Sequence, residues 1–221
     1  MTHDSNDIRS ELTKYSTKIV EKNLVAGPGG NISFRVNETV LISPSGASLD
    51  EITPSDWVAV DLHTGEILSG ARPSSEVNLH LEIYRKRLDV NAIIHTHAIH
   101  CIAVSSAGRD IPPMFADFVA IVGDVSYLEY ILPTTNDLAI AANQALGQRN
   151  AIVLRNHGAI TVGSTLKEAY SRMEILEDAA EIYHLSLQMG TPRVLTDEEC
   201  SDILNLESER YRMNLLKKPQ S

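Results

Sequence analysis

Asn91-Ala92-Ile93-Ile94-His95-Thr96-His97 decides how this chain is read. A short apolar run leads into two histidines spaced i and i+2. In an extended strand, residues two apart point to one face, so the run reads as a strand delivering both imidazoles to one place at its end. A similar run, Ala151-Ile152-Val153-Leu154, precedes Arg155-Asn156-His157-Gly158, so a third histidine can approach from a neighbouring strand end. Three neutral imidazoles around one divalent ion leave an open coordination position, which separates a catalytic metal site from a closed structural one. A His-X-His pair alone equally describes two buried core histidines that hydrogen-bond carbonyls. The residues leave both readings open.

On the N-terminal side of this run, Ile8, Leu12, Tyr15, Ile19 and Val20 recur at helical spacing from Asp7 to about Leu24. The Gly27-Pro28-Gly29-Gly30-Asn31 loop stops that helix. Ile32–Val36 and Thr39–Ile42, separated by Asn37-Glu38, read as a hairpin running into the turn Ser43-Pro44-Ser45-Gly46. Trp57–Leu62 and a returning segment past His63-Thr64-Gly65-Glu66 read as a second one. The first third is therefore mostly antiparallel sheet. After Arg72-Pro73-Ser74-Ser75-Glu76, the spacing of Val77, Leu79, Ile83, Tyr84 and Leu88 turns helical, with Ser74 or Ser75 as N-cap.

On the C-terminal side, Ile99–Ser105 starts a further helix that ends by Ile111-Pro112-Pro113. Residues 116–132 read as strand-like apolar runs punctuated by Gly123. Leu138–Gly147 is helical, Ala159–Val162 is a short strand, and Leu166 to about Met189 is a long helix stopped by Gly190-Thr191-Pro192. The acidic stretch from Thr196 to about Leu215 reads as one last helix. No repeat or linker splits the chain, so a single domain over 1–221 is expected.

The 221 residues carry a formal charge of -10, and no basic run exceeds Arg85-Lys86-Arg87, which argues against a nucleic-acid or anionic-membrane surface. A small-molecule partner fits better. Cys101 and Cys200 lie far apart, so neither a disulfide framework nor a thiolate metal site is indicated. The polar start and the lack of any apolar stretch near 18 residues make a cytoplasmic protein the expectation.

Two further constellations carry chemistry. Pro73-Ser74-Ser75-Glu76 places two hydroxyls at a helix start, where unpaired N–H groups favour an anion; plain capping reads the same residues as well. The Gly-rich loop and the Ser-Pro-Ser-Gly turn are likewise either turns or backbone nests for an anion. His80, His100 and His184 fall on predicted helices and are read as packing or surface residues.

Taken together and in order, GPGGNIS, ISPSG, RPSSE, AIIHTHAIHC and LRNHG resemble the class II aldolase/adducin family, from about residue 8 to about residue 212. The resemblance implies an α/β fold of three layers, α/β/α, with a largely antiparallel central sheet flanked by helices. It implies a divalent metal, zinc first with manganese, cobalt or iron(II) as alternatives, held by His95, His97 and His157, and Glu76 as the general acid/base. Asn31, Ser45, Gly46, Ser74 and Ser75 become the phosphate-binding residues for a small phosphorylated sugar. The implied reaction cleaves a ketose phosphate to dihydroxyacetone phosphate and an aldehyde through an enediolate, in a homotetramer with active sites at subunit interfaces. Glu76 is expected to titrate above a free carboxylate through partial desolvation.

The stretch Pro112-Pro113-Met114-Phe115-Ala116-Asp117-Phe118 lacks the Tyr that the aldolases carry there. Its Ala-Asp-aromatic run instead resembles the pentulose-phosphate 4-epimerase branch, which makes Asp117 a catalytic candidate. Tyr211 matches the C-terminal Tyr that family members use as a proton donor. Decarboxylation of a phosphorylated oxo acid, a mononuclear iron oxygenase and a non-catalytic adducin-like module stand as alternatives to the aldolase.

Overall fold

A computed structural model describes residues 5–218; both ends of the expected 1–221 domain lie outside the described residues. Helix α1 (Ser5–Glu21) buries Ile8, Leu12, Tyr15 and Ile19, the spacing that drives one face of a helix into a core. Strands β1 (Asn31–Val36) and β2 (Thr39–Ile42) form the expected hairpin, with Asn37 left-handed at φ 54°. Strands β3 (Val58–Asp61) and β4 (Ile67–Ser69) extend the sheet outward. Helix α2 (Val77–Lys86) leads into β5 (Ala92–Thr96), the decisive run, buried at every position. Then come α3 (Ile99–Ser106), β6 (Val125–Leu128), α4 (Asn136–Leu146), β7 (Ala151–Leu154), β8 (Gly158–Gly163) and α5 (Leu166–Met189). Helices α6 (Asp197–Asn205) and α7 (Glu207–Leu216) complete the described chain.

The eight described strands form one sheet in the order β4-β3-β2-β1-β5-β8-β7-β6, antiparallel throughout except for the parallel β6–β7 pair. Its two faces carry separate apolar clusters. Ile32, Phe34, Ala92 and Ile94 pack with α1, α3 and α5, whereas Val40, Ile42, Ile93 and Ile160 pack with α2 and α4. This is the three-layer α/β/α arrangement with a largely antiparallel sheet. The alternation also places the chemistry. Along β5, His95 shares its face with Ile93, so it projects toward the α2 layer at the sheet's centre.

Packing is close where it matters most. Trp57 is fully buried, its Nε1 donates to Thr13 Oγ1 at 2.9 Å, and Arg9 donates to its carbonyl at 2.6 Å. Truncating such a side chain costs about 3–5 kcal/mol.

Three elements depart from the sequence reading. Residues 116–132 are not all strand: Phe118–Val122 is a π-helical turn, and strand begins only at Val125. Five apolar residues in a row carry no period, and Arg172 Nε captures the Ile121 carbonyl at 3.1 Å, a tertiary bond invisible in local sequence. The last stretch is two helices, not one, broken at an extended Leu206 with ψ 132°. Neither helix buries a side chain, so no packed face enforces continuity. The N-cap of α2 is Glu76 rather than Ser74 or Ser75.

Candidate active site

Short backbone links bring the polar turns together. Ser43 N donates to Ile32 O at 3.1 Å, Ser74 N to Ser43 O at 2.9 Å, and Ser45 N to Arg72 O at 2.9 Å. The Ser-Pro-Ser-Gly turn is thereby stitched to β1 on one side and to the Ser74-Ser75-Glu76 segment on the other. The Gly-rich loop lies against β5, where Gly30 adopts φ +72° and a Cβ would meet His95 O at 2.8 Å. Only glycine takes that conformation at so close an approach.

These turns rim a cleft of ≈ 290 Å³ whose lining includes Asn31, Ser45, Gly46, Ser74, Ser75, Glu76, His97 and His157. That is at the small end of ligand pockets, about 300–1,000 Å³, and suits a small substrate. A larger hollow of ≈ 670 Å³ near α6 brings together no comparable set of metal-ligating side chains among the described residues.

His95, His97 and His157 offer one ligand atom each, all within 4.8 Å of one another. His95 Nδ1 lies 3.0 Å from the carbonyl of Ala159. A carbonyl only accepts, so Nδ1 carries the hydrogen and Nε2 keeps its lone pair, the tautomer a metal ligand needs. That Nε2 is buried without a hydrogen-bond partner, 3.2 Å from Glu76 Oε2. Glu76 Oε1 and His157 Nδ1 are also buried and unpartnered, and Glu76 Oε1 lies 3.5 Å from His157 Nε2. Acceptor lone pairs gathered this closely repel unless a cation sits among them. The donor set therefore fits a divalent metal: three imidazoles, with one carboxylate at their edge.

The electrostatics favour the same state. Burial, aided by crowding from His157 and His97 and opposed by Glu76, pushes the His95 imidazole down to about 4. His97 and His157 are lowered as well, burial being the main cause. Burial pulls Glu76 up, as expected from sequence, yet the carboxyl ends below the ordinary glutamate range: His95, His157, the Asn31 N–H and His80 together outweigh desolvation. Since His95 is itself uncharged at neutral pH, the hold on Glu76 that persists there is Asn31 Nδ2 donating to Oε2 at 3.0 Å. At neutral pH the cluster holds a neutral imidazole at His95 beside a carboxylate.

Two candidates lie elsewhere. Asp117 accepts from Arg212 Nη1 at 2.9 Å at the surface, and Tyr211 is 60% exposed on α7; neither lines the cleft. Three features escaped the sequence reading. Pro133 and the left-handed Thr134, φ 67°, form part of the cleft rim through a tertiary approach that no local signal announces. His80 is fully buried behind Asn31, and its position four residues after Glu76 was the available signal.

Comparison with known proteins bears on what this arrangement is for. The family described as Class II Aldolase and Adducin N-terminal domain matches residues 10–184. The chain belongs to that family. Among its class II aldolase relatives, the 5-deoxy-D-ribulose 1-phosphate aldolase of Bacillus thuringiensis serovar kurstaki is 37% identical, with 88% of this chain and 92% of that protein covered. An L-fuculose phosphate aldolase of Methanococcus maripaludis is 32% identical, with 80% of this chain and 96% of that protein covered. A solved L-fuculose 1-phosphate aldolase superposes with a TM-score of 0.84 at 35% identity, covering 93% of this chain and 96% of that one. No described helix is long and apolar enough to cross a membrane.

Proposed function

We propose that this class II aldolase-family chain is a metal-dependent aldehyde-lyase that cleaves a small ketose 1-phosphate to dihydroxyacetone phosphate and an aldehyde. One observation carries the reading: three imidazoles, one with its tautomer set for ligation, meet the Glu76 carboxylate, whose Oε1 is buried without a partner, inside a cleft lined by Ser45, Ser74 and Ser75. Relatives over most of the chain bear aldolase names for 5-deoxy-D-ribulose 1-phosphate and L-fuculose phosphate, so a short, deoxygenated ketose phosphate is the substrate class proposed.

His95, His97 and His157 hold the metal, zinc in our reading. When bound, the ion supplies a Lewis acid that draws electron density from the ketose carbonyl. The chain's own residues do the rest. Asn31, Ser45, Gly46, Ser74 and Ser75 bind and orient the phosphate, which fixes the carbonyl end of the substrate against the histidines. Cleavage breaks one C–C bond, between C3 and C4; the C4 hydroxyl loses its proton as the aldehyde forms, and C3 gains one. Glu76, ionised and held by Asn31, is placed to take up a proton equivalent to the one the C4 hydroxyl releases and to pass it to C3. The reading extends to a cytoplasmic, single-domain chain assembled as a homotetramer. Tyr211 and Asp117, exposed on one chain, enter it as residues that such an assembly brings to a neighbouring cleft.

The test combines metal analysis with turnover. Purified protein supplied with zinc is expected to carry close to one ion per chain and to release dihydroxyacetone phosphate from 5-deoxyribulose 1-phosphate or fuculose 1-phosphate, whereas His95→Ala loses both metal and activity. A wild type that binds no zinc, manganese or cobalt ends the enzyme reading.

A further inference from the structure

Helix α2 and strand β1 face each other through polar side chains in an otherwise apolar interface. Glu76, His80 and Tyr84 follow one another at four-residue intervals, and Asn31 and Ser33 at a two-residue interval, so helical and strand periods present both sets to the same gap. His80, Ser33 and Tyr84 are fully buried and Asn31 nearly so. They form a continuous chain. Tyr84 OH lies 2.8 Å from Ser33 Oγ and 3.3 Å from Asn91 O; Ser33 Oγ lies 2.6 Å from His80 Nδ1; His80 Nε2 lies 2.5 Å from Asn31 Oδ1; Asn31 Nδ2 lies 3.0 Å from Glu76 Oε2.

The direction of the bonds from Glu76 to Ser33 follows from the carboxylate end. A carboxylate only accepts, so the Asn31 amide must turn its NH2 to Glu76 and its oxygen to His80. His80 Nε2 then has to donate. Burial pushes this imidazole down to about 3, so it is uncharged and its Nδ1 is a bare acceptor for the Ser33 hydroxyl. The Ser33 oxygen in turn faces the Tyr84 hydroxyl. Without a donor at His80, the two edges of the Asn31 amide, nearly identical in shape, are no longer distinguished on that side. The flipped amide sets its oxygen against Glu76, acceptor on acceptor.

We propose that His80 is a positioning residue: through the buried Tyr84-Ser33-His80-Asn31 chain it decides which edge of the Asn31 amide meets Glu76, and so holds Oε2 of that carboxylate beside the metal-ligand histidines. The bonding claim stands on this geometry, and only its kinetic consequence rests on the aldolase reading.

Nitrogen NMR of the metal-free wild type at neutral pH reads the bonding directly. The expected His80 signals are a protonated, slowly exchanging Nε2 and a bare Nδ1; an Nδ1–H tautomer or an imidazolium overturns the proposal. Two variants read the consequence. His80→Gln places an amide N–H near Nε2, while His80→Leu fills the volume with no donor. With metal content equal to wild type, His80→Gln is expected within about fivefold of the wild-type kcat and His80→Leu lower by about 10–100-fold, the range seen when partners behind a functional group are lost. A packing role predicts the opposite order, so His80→Leu matching or exceeding His80→Gln refutes positioning. Should His80→Leu not fold, or the wild type show no aldolase turnover, the NMR tautomer decides alone, and the second case counts against the aldolase reading rather than against the relay.

Discussion

Gly158 opens β8 opposite the end of β5, and a single methyl group there tests how tightly the metal-ligand cluster depends on the sheet. A Cβ at Gly158 would sit 2.2 Å from Thr96 O, 3.1 Å from Thr96 C and 3.2 Å from His95 Cε1. Ordinary contact begins near 3.4 Å, so the strands must part by roughly 1.2 Å, and the nearest obstacle is backbone that cannot rotate aside. The adjacent bond from His95 Nδ1 to Ala159 O starts at 3.0 Å and would be stretched beyond hydrogen-bonding range. Overpacking strain of about 1–3 kcal/mol and a lost bond of about 0.5–1.5 kcal/mol give a destabilisation of about 1.5–4.5 kcal/mol for Gly158→Ala. That is a large share of the ~5–15 kcal/mol that keeps a domain folded. Because the lost bond also sets the His95 tautomer, zinc affinity should fall by about 10–100-fold. Urea unfolding of the metal-free variant and a chelator-competition titration measure the two effects separately. A variant with stability within about 0.5 kcal/mol of wild type and unchanged zinc affinity would refute the link between strand spacing and ligand orientation.

Other perturbations read other parts of the site. His80 and His95 titrate near 3 and 4 when folded and near 6.5 when unfolded, so the unfolded chain binds more protons between those values. The metal-free protein should keep a flat urea midpoint above pH 7 and lose stability as pH falls from 6.5 toward 4; a midpoint that climbs on acidification contradicts the burial of neutral imidazoles. Glu76→Gln should bind zinc as wild type does and turn over about a hundredfold more slowly, and an unchanged kcat removes this carboxylate from the proton transfer. Ser75→Ala should raise KM for a phosphorylated ketose about tenfold while leaving kcat within a few-fold, and an effect confined to kcat would show that Ser75 serves the chemistry instead.

Much of this architecture could be read from sequence because periodicity and burial coincide. Ala92–Ile94 and Ala151–Leu154 are apolar, short and bounded, so their strands and the histidines at their ends follow directly. Ile8, Leu12, Tyr15 and Ile19 declare α1 in the same way. Phe118–Val122 misleads because an unbroken apolar run fits strand or helix, and the deciding partner, Arg172, lies on α5. Ser74 and Ser75 look like N-caps, yet the backbone N–H of Ser74 is spent on Ser43 and the helix begins at Val77, one residue later than Ser75 predicts and two later than Ser74 predicts. Pro133 and Thr134 meet the cleft only because the sheet brings residue 134 near residue 46, a relation without local trace. His80 was visible in spacing but read as packing, since the strand residues that give it a purpose, Asn31 and Ser33, are far away in sequence.

The floor of the cleft lies on β1, β5 and the turn into β8, neighbours in the middle of the sheet, where no strand can shift without breaking ladders on both sides. Its rim pairs proline with a left-handed residue three times: Pro28 and Pro44 stand two residues before left-handed Gly30 and Gly46, and Pro133 stands directly before left-handed Thr134. Proline locks its own φ, so each rim turn gives up little freedom when it is occupied. A recess with a fixed floor and stiff edges selects its guest by shape at the moment of entry rather than by folding around it, and most of the ordering that binding would otherwise demand is already complete in the empty protein.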